Sequence, residues 1–525
     1  MLKRLGEFLL KPVSSNRLVK YPSPLVKCPS LARNSLFNLC GQVSQMLAAL
    51  VFLPLTVRLL GAERVGILSL VWILLGYLSV LDLGIGRALT RAVATAVATP
   101  CYGTARRLFW SAATAQALAG VVGSVVLMVL APRLAERVLT VPGWLVAEAH
   151  LGIAIAASSL PVVLFSSSVA GLLQAAERFD LTNLVAMPAA VLSQALPFLC
   201  ALWYPSVPLV VSALVGTRVV SALVMYALAR RVFPELDAGW EFSWRELRPL
   251  LAFGGWVSVS NIVNPLLMYL DRFMLGVMMS MAAVTYYSVP YQAVNSLSVL
   301  AGSIALAAYP ALSGAAGSCQ VFRLQSVISG GVKAVVCLLG LPVAVVACFG
   351  PELMRLWMDL AFGQHSGRAL QILALGVLVN GLATLPYSLL QASGRPDLPA
   401  KFHLIELPLH LVLLWIFIRM WGVEGAALAW TVRATIDAAL LFTAASRVTG
   451  LALANVALTR LLRVLPALLV ITAAGGWIWS ATALGLVRAA GAVLLVLGGC
   501  AVLWWRGLDE EDRKRLPGLV LSEHK

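Results

Sequence analysis

The chain has 525 residues, 60% of them hydrophobic and only 12% charged, with a mean hydropathy of +0.90, against roughly 25% charged residues in an ordinary soluble domain. That balance excludes a soluble domain and marks a membrane protein, since a spanning helix needs about 20 mostly apolar residues. The net charge of +16 is spread over many short connections instead of one patch, so it does not point to a nucleic-acid partner.

Apolar runs bounded by charges or by Pro and Gly clusters predict about fourteen spans. In chain order they lie near 36–60, 66–92, 106–131, 145–173, 181–203, 207–230, 250–276, 283–313, 326–350, 368–392, 402–420, 423–447, 458–480 and 483–505. The first 35 residues carry Lys3, Arg4, Lys11, Arg17, Lys20, Lys27 and Arg33 without a long apolar core, so they read as a basic tail and not as a cleaved signal peptide. With that tail inside, the even-numbered connections are cytoplasmic. They hold Arg106, Arg107, Arg178, Arg230, Arg231, Arg245, Arg248, Arg323, Arg395 and Lys401, which satisfies the positive-inside rule with both termini in the cytoplasm.

The predicted organisation is therefore a cytoplasmic tail (1–35), an N-lobe (36–230), a cytoplasmic linker (231–249), a C-lobe (250–447), two further spans within 458–505 and a cytoplasmic tail (506–525). The eight cysteines show no CxxC spacing, so neither a disulfide framework nor a zinc site is indicated, and no cofactor is called for. No connection exceeds about 20 residues, which leaves no room for an extramembrane catalytic domain.

The chain repeats itself at an offset of about 215 to 219 residues. "LLQAAERFDL" (172–181) returns as "LLQASGRPDL" (389–398), "LSVL" (78–81) as "LSVL" (297–300), the "LG" of "RLLGAER" as that of "FMLGVMM", and Arg218 as Arg433. Four matches in register, each at the same place in a six-span unit, indicate a duplication of spans 1–6 as spans 7–12. Six is even, so the halves are parallel repeats, and their interface is where a carrier places its substrate cavity. Pro54 and Pro265 fall at nearby positions of the overlaid halves, as bent helices of a rocking carrier would. Spans 13 and 14 lie outside the duplication.

The run "NLCGQVSQMLAALVFLPLTVRLLGAERVGILSLVWILLGYLSVLDLGIGRALTRAVA" (38–94) resembles the first two helices of the polysaccharide transporter, or oligosaccharide flippase, family of the multidrug/oligosaccharidyl-lipid/polysaccharide exporter superfamily. "YLDRFMLG" (269–276), "YYSVPYQ" (286–292), "YPALS" (309–313) and "LLQASGRPD" (389–397) are similar to the family pattern as well. The resemblance implies an all-α, V-shaped pair of six-helix bundles. It also implies the activity: moving an undecaprenyl-diphosphate-linked glycan from the inner to the outer leaflet of the bacterial cytoplasmic membrane, in O-antigen, capsule or exopolysaccharide assembly. Partners so implied are the lipid-linked glycan, membrane lipids, and polysaccharide polymerase and assembly proteins.

Charges inside spans are costly and mark cavities or partners. Counting about 1.5 Å of rise per residue, Arg218 and Arg433 lie about 16 and 15 Å into spans 6 and 12, both near the midplane. Asp437 follows Arg433 by one turn and is its expected counter-ion. Arg218 has no such neighbour and suits a diphosphate; a pair with an acid on another helix is the alternative. Arg87 and Arg91 share a face at the end of span 2, ready for an anionic head or for ordinary lipid phosphates. Arg218, Arg433, Arg87 and Arg91 are the candidate substrate-binding residues.

Asp82, Asp271, Glu406 and Asp437 are the candidate ion-coupling residues, with interhelical anchoring as the other reading of Asp271. Tyr286, Tyr287, Tyr291, Trp256 and Gln292 are placed to meet sugar rings or simply to pack. His403, Glu406 and His410 share a stripe, but the two histidines are about 10.5 Å apart along the axis, too far for one zinc ion. Two other functions stay open at this point. A drug or cation exporter of the same superfamily is kept in view by Glu406, and a glycan polymerase or ligase would need catalytic residues that the short outer loops barely supply.

Overall fold

The computed structural model describes residues 31–78, 84–98, 104–176, 178–317 and 321–450, with Asp82 and a few isolated positions beyond 450. Predicted spans 13 and 14 and most of both tails lie outside the described residues. Among the described residues every regular element is a helix. In order these are α1 (Leu31–Leu60), α2 (Ala62–Leu78), α3 (Ile85–Ala98), α4 (Thr104–Arg133), α5 (Val146–Ser158), α6 (Leu160–Ala175), α7 (Phe179–Trp203) and α8 (Val207–Val232). They continue with α9 (Trp244–Met278), α10 (Met281–Asn295), α11 (Ser298–Gly317), α12 (Val321–Trp357), α13 (Leu360–Ala392) and α14 (Asp397–Thr449).

Nine helical stretches among the described residues are long and apolar enough to cross a membrane. The last, α14, runs for 53 residues because the predicted spans 11 and 12 join without a loop. They separate at Gly422, whose φ of 56° belongs to the left-handed region that glycine tolerates. Gly425 completes the corner, since a Cβ there would lie 1.9 Å from the Phe417 carbonyl oxygen.

Three predicted spans are interrupted. Span 2 divides into α2 and α3, span 4 into α5 and α6, and span 8 into α10 and α11. The third break falls on the second copy of "LSVL", where α11 begins at Ser298 after a turn at Ser296–Leu297; in the first half α2 runs to Leu78 and α3 begins at Ile85, after Gly84 at φ 66°. A pair of distortions sits at matched prolines. Pro132 precedes a π-helical turn at Leu134–Val138, and Pro351 follows a non-helical Phe349. Proline removes a helical hydrogen bond and clashes with the preceding turn, so both copies bend where the sequence carries it. Predicted span 7 starts earlier than expected, because α9 takes in Trp244 to Pro249 of the predicted linker.

Helices α1 to α8 pack among themselves, as do α10 to α14, while α9 lies against α2, α3 and α4 on one side and α10 and α14 on the other. The halves meet closely where the α1–α2 and α9–α10 turns lie together. A Cβ on Gly66 would come within 1.9 Å of the Met281 carbonyl oxygen, so α2 and α10 touch backbone to backbone there. Thr285 donates to the Ala62 carbonyl. Thr140 donates to the Gly276 carbonyl twice, from its amide at 2.9 Å and its hydroxyl at 2.8 Å. Arg58 donates to the Met358 carbonyl at 2.9 Å.

The apolar core runs continuously through this contact, from Leu60, Leu68 and Ile73 to Val284, Val335 and Leu373. At the opposite end the segment between α8 and α9 is strapped to α4. Ser243 donates its amide to Ser111 at 2.8 Å, Trp240 its indole to Thr114 at 2.9 Å, and Arg106 pairs with Glu241.

Candidate functional site

A cavity of about 600 Å³ opens between α1, α2, α9 and α10 and is bounded by Trp357 at the end of α12. The helix α1 presents one face to it. Gln42, Gln45, Ala49 and Leu53 line the space at spacings of three and four residues, the stripe that a helix makes along one side. The opposite wall comes from α10, with Ser288, Tyr291, Gln292 and Asn295, and from the turn that ends it, at Ser296 and Leu297. Irregular backbone at membrane depth is tolerated where it lines a cavity.

The charge in this wall is Arg272 on α9. Adjacent helical residues point about 100° apart, and the "DR" pair uses that divergence. Asp271 turns inward, fully buried, and accepts a hydrogen bond from the Tyr287 hydroxyl and another from the Arg272 amide at 3.0 Å. Arg272 turns to the cavity while only 9% exposed. Its guanidinium carbon stands 4.2 Å from the Tyr291 ring centre and 5.7 Å from that of Tyr269, inside the range of cation–π attraction. Tyr291 is itself held, stacked on Tyr287 at 5.8 Å and met edge-on by Trp430 at 5.6 Å.

The two aromatic faces hold the guanidinium carbon. The Arg272 Nε is buried and has no hydrogen-bond partner among the described residues, and the Ser288 hydroxyl in the same wall is likewise unpartnered. A buried polar group left unpaired costs about 1–3 kcal/mol. Arg272 therefore presents a buried, unpartnered Nε in the cavity wall.

The residues singled out from sequence fall in three places. Arg218 sits half-buried on α8, which packs on α5, α6 and α7, and it does not line this cavity. Arg433 does not line it either: it pairs with Glu406 at 3.2 Å, behind Tyr291 and Trp430. Glu406, and not the expected Asp437, is the ion-pair partner of Arg433. The corner at Gly422 folds α14 back on itself and brings the two residues together across 27 positions.

Glu406, His410, Arg433 and Asp437 are all buried, and Glu406 Oε1, both His410 ring nitrogens, Arg433 Nε and Asp437 Oδ1 lack partners. Asp271 lies within electrostatic reach of Arg433, so the inward side of the "DR" pair borders this cluster. No set of His, Cys, Asp and Glu among the described residues is arranged to hold a metal ion.

Asp82 belongs to a separate node in the first half. It accepts from Gln116 and, at 3.0 Å, from Ser167, while Ser168 donates to the Gln116 carbonyl oxygen. The glycines of "DLGIGR" serve this packing. Gly84 takes φ 66° at the turn, and a Cβ on Gly86 would lie 2.6 Å from the Ser167 hydroxyl. Arg87 and Arg91 lie on α3 in the same segment; their side chains, like that of Trp256, lie outside the described residues.

Of the aromatic candidates, Tyr291 and Gln292 face the cavity and Tyr287 is buried behind it, whereas Tyr286 packs on Phe362 and His365. Sequence reasoning missed Gln42, Gln45, Asn295 and the cavity role of Arg272. The signal was present for the carboxamides: pairs at three-residue spacing, Gln42 with Gln45 and Gln292 with Asn295, in otherwise apolar spans.

Residues 31–315 match the polysaccharide biosynthesis protein family, and residues 257–416 match the MatE family. A Shigella flexneri protein to which O-antigen transport is assigned is 26% identical over 413 residues, 78% of this chain and 97% of its own length. The structure of the lipid II flippase MurJ in an inward closed conformation superposes with a TM-score of 0.69 at 11% identity, covering 90% of this chain and 98% of that one. An inward-facing MATE-family multidrug resistance transporter of the MOP superfamily gives a TM-score of 0.65 at 17% identity, covering 79% of this chain and 96% of that one. These structural likenesses establish the fold: the multi-pass, two-lobed helical architecture of those structures. The chain belongs to the polysaccharide biosynthesis protein family.

Proposed function

We propose that this protein moves an undecaprenyl-diphosphate-linked oligosaccharide from the cytoplasmic to the outer leaflet of the bacterial inner membrane by alternating access, for O-antigen, capsule or exopolysaccharide synthesis. The observation that carries this reading is Arg272, a buried cation in the cavity between the halves, gripped by two tyrosines and with its Nε unpartnered. A guanidinium so held offers parallel N–H donors, which match the oxygens of a diphosphate and bind it more strongly than neutral donors would. The O-antigen transport assigned to the Shigella relative and the lipid II flipping named for MurJ support the same substrate class.

The mechanism follows from the two ends. With both termini cytoplasmic, the end carrying Gly61 and Met279 is the outer one, and the contacts of Gly66 with Met281, Thr285 with Ala62 and Arg58 with Met358 close it. The diphosphate enters from the cytoplasmic side and docks on Arg272. The lobes then rock, breaking those few side-chain-to-carbonyl bonds and re-forming contacts at the inner end. The breaks of spans 2 and 8 allow the bending.

Asp271, Glu406 and Asp437 in the second half, and Asp82 in the first, are the groups that take up a coupling cation or proton. The unpartnered oxygens of Glu406 and Asp437 favour the second half for this role. A cation exporter would need acidic lining, whereas the charge in this wall is Arg272. Downstream polymerase and assembly proteins receive the product.

Cells lacking the protein are expected to retain labelled lipid-diphosphate glycan on the cytoplasmic leaflet. Normal arrival of that lipid on the outer leaflet would refute the proposal.

A further inference from the structure

The charge on the cavity walls is unusually sparse, and the sequence shows that this holds beyond the lining side chains. Residues 34–57 of α1, 65–81 of α2 and its continuation, 249–270 of α9, and 273–322 through α10 and α11 contain no Asp, Glu, Lys, Arg or His. Among the described residues that line the cavity, Arg272 is the only charged one. The adjacent Asp271 is turned away and engaged by Tyr287.

The other polar lining is neutral. Gln42 and Gln45 on α1 and Gln292 and Asn295 on α10 line the space together with Ser69 and Ser288. A carboxamide carries two donors and an acceptor, so each can meet a sugar hydroxyl or acetamido group whichever way it points. Trp72 and Tyr269 supply flat apolar faces beside them, suited to the C–H face of a pyranose ring.

Charged sugars fare differently. Once the diphosphate has taken Arg272, a carboxylate on a neighbouring sugar has no counter-charge, and an ammonium has no carboxylate. An unpaired charge taken out of water is penalised far more than a hydroxyl that finds a carboxamide.

From this we infer, on the carrier reading above, that the cavity is selective for glycans whose sugars next to the diphosphate are uncharged. It discriminates against uronic acids and free amino sugars at those positions. Selectivity resides in the neutrality of Gln42, Gln45, Gln292 and Asn295, with Arg272 reading the diphosphate common to all substrates.

The test uses the full chain in proteoliposomes with two radiolabelled undecaprenyl-diphosphate disaccharides, N-acetylglucosamine–glucose and N-acetylglucosamine–glucuronate. They differ only in oxidation at one carbon. Transfer between leaflets is read from accessibility to a membrane-impermeant oxidant. The neutral lipid is expected to cross at least about tenfold faster. Gln292→Lys and, independently on another helix, Gln45→Lys are each expected to shrink that ratio by giving the carboxylate a partner.

Equal rates for the two lipids overturn this inference and leave the carrier reading standing. A ratio that neither lysine variant alters, in protein that still moves the neutral lipid, assigns selectivity elsewhere and also overturns it. Failure of both lipids to cross overturns the carrier reading, and this inference with it.

Discussion

The two halves of the molecule bury polar groups in opposite ways. In the first half Asp82, Gln116, Ser167 and Ser168 close a chain of hydrogen bonds tightened by the Gly86–Ser167 approach. In the second half Glu406, His410, Arg433 and Asp437 lie together with five side-chain atoms unpartnered, and Arg272 lines the cavity with its Nε unpartnered. Satisfied networks rigidify, whereas half-satisfied ones are costly and persist where a ligand or ion completes them. The acidic node of the first half is thus closed by its own hydrogen bonds, and that of the second is not.

Three substitutions sharpen that contrast. Glu406→Gln should have the largest effect on stability, because it removes the ion-pair partner of the buried Arg433. A loss of about 3 kcal/mol is expected in unfolding of the detergent-solubilised protein. The double variant Glu406→Gln/Arg433→Gln should recover much of it, and an unaltered single variant would show that the pair does not form. Asp82→Asn keeps an acceptor for Gln116 and Ser167 and should cost only about 1 kcal/mol with transport retained; a complete loss of transport would move the coupling site into the first half. Arg218→Ala should change export the least, by no more than about twofold at matched abundance, since Arg218 does not line the cavity. A collapse of export would bring Arg218 back into the substrate path.

A fourth prediction concerns the junction of the halves. Gly66→Ala places a methyl on the Met281 carbonyl and must separate α2 from α10. Paired cysteines at Ala62 and Thr285 should then cross-link several-fold less efficiently than in the parent, at the scale of about 1–3 kcal/mol expected of overpacking. Unchanged cross-linking would mean that this end is not closed.

Much of the architecture could be read from the sequence because hydrophobic length is a strong signal: the spans from 104 to 232 and from 326 to 447 fall where the apolar runs put them. The breaks within spans 2, 4 and 8 were hidden, since the residues on either side of them are as apolar as a continuous helix. Only the second copy of "LSVL" coincides with one of them, and its apolar residues mark register more plainly than a break.

The site was harder to read for a different reason. Rise per residue gives depth but not azimuth, so Arg218 and Arg433 stood out as central without any sign that both face away from the cavity. Arg272 is not among the candidates drawn from the sequence: adjacent helical positions place Asp271 and Arg272 on different faces, but which face meets the cavity is not visible in local spacing. Asp437 was matched to Arg433 by one-turn spacing, but the corner at Gly422 delivers Glu406 from the other limb. Contacts made by a chain folding back cannot be seen in local periodicity.

The central claim is that Arg272 receives the diphosphate, and the most direct measurement is the transfer rate of a radiolabelled undecaprenyl-diphosphate disaccharide in proteoliposomes bearing Arg272→Gln. Glutamine keeps some of the volume and loses the charge, so transfer should fall by about a hundredfold, in line with the loss of a charge-assisted bidentate contact, while the variant still folds to the same helical content. Transfer at the parental rate would contradict the account.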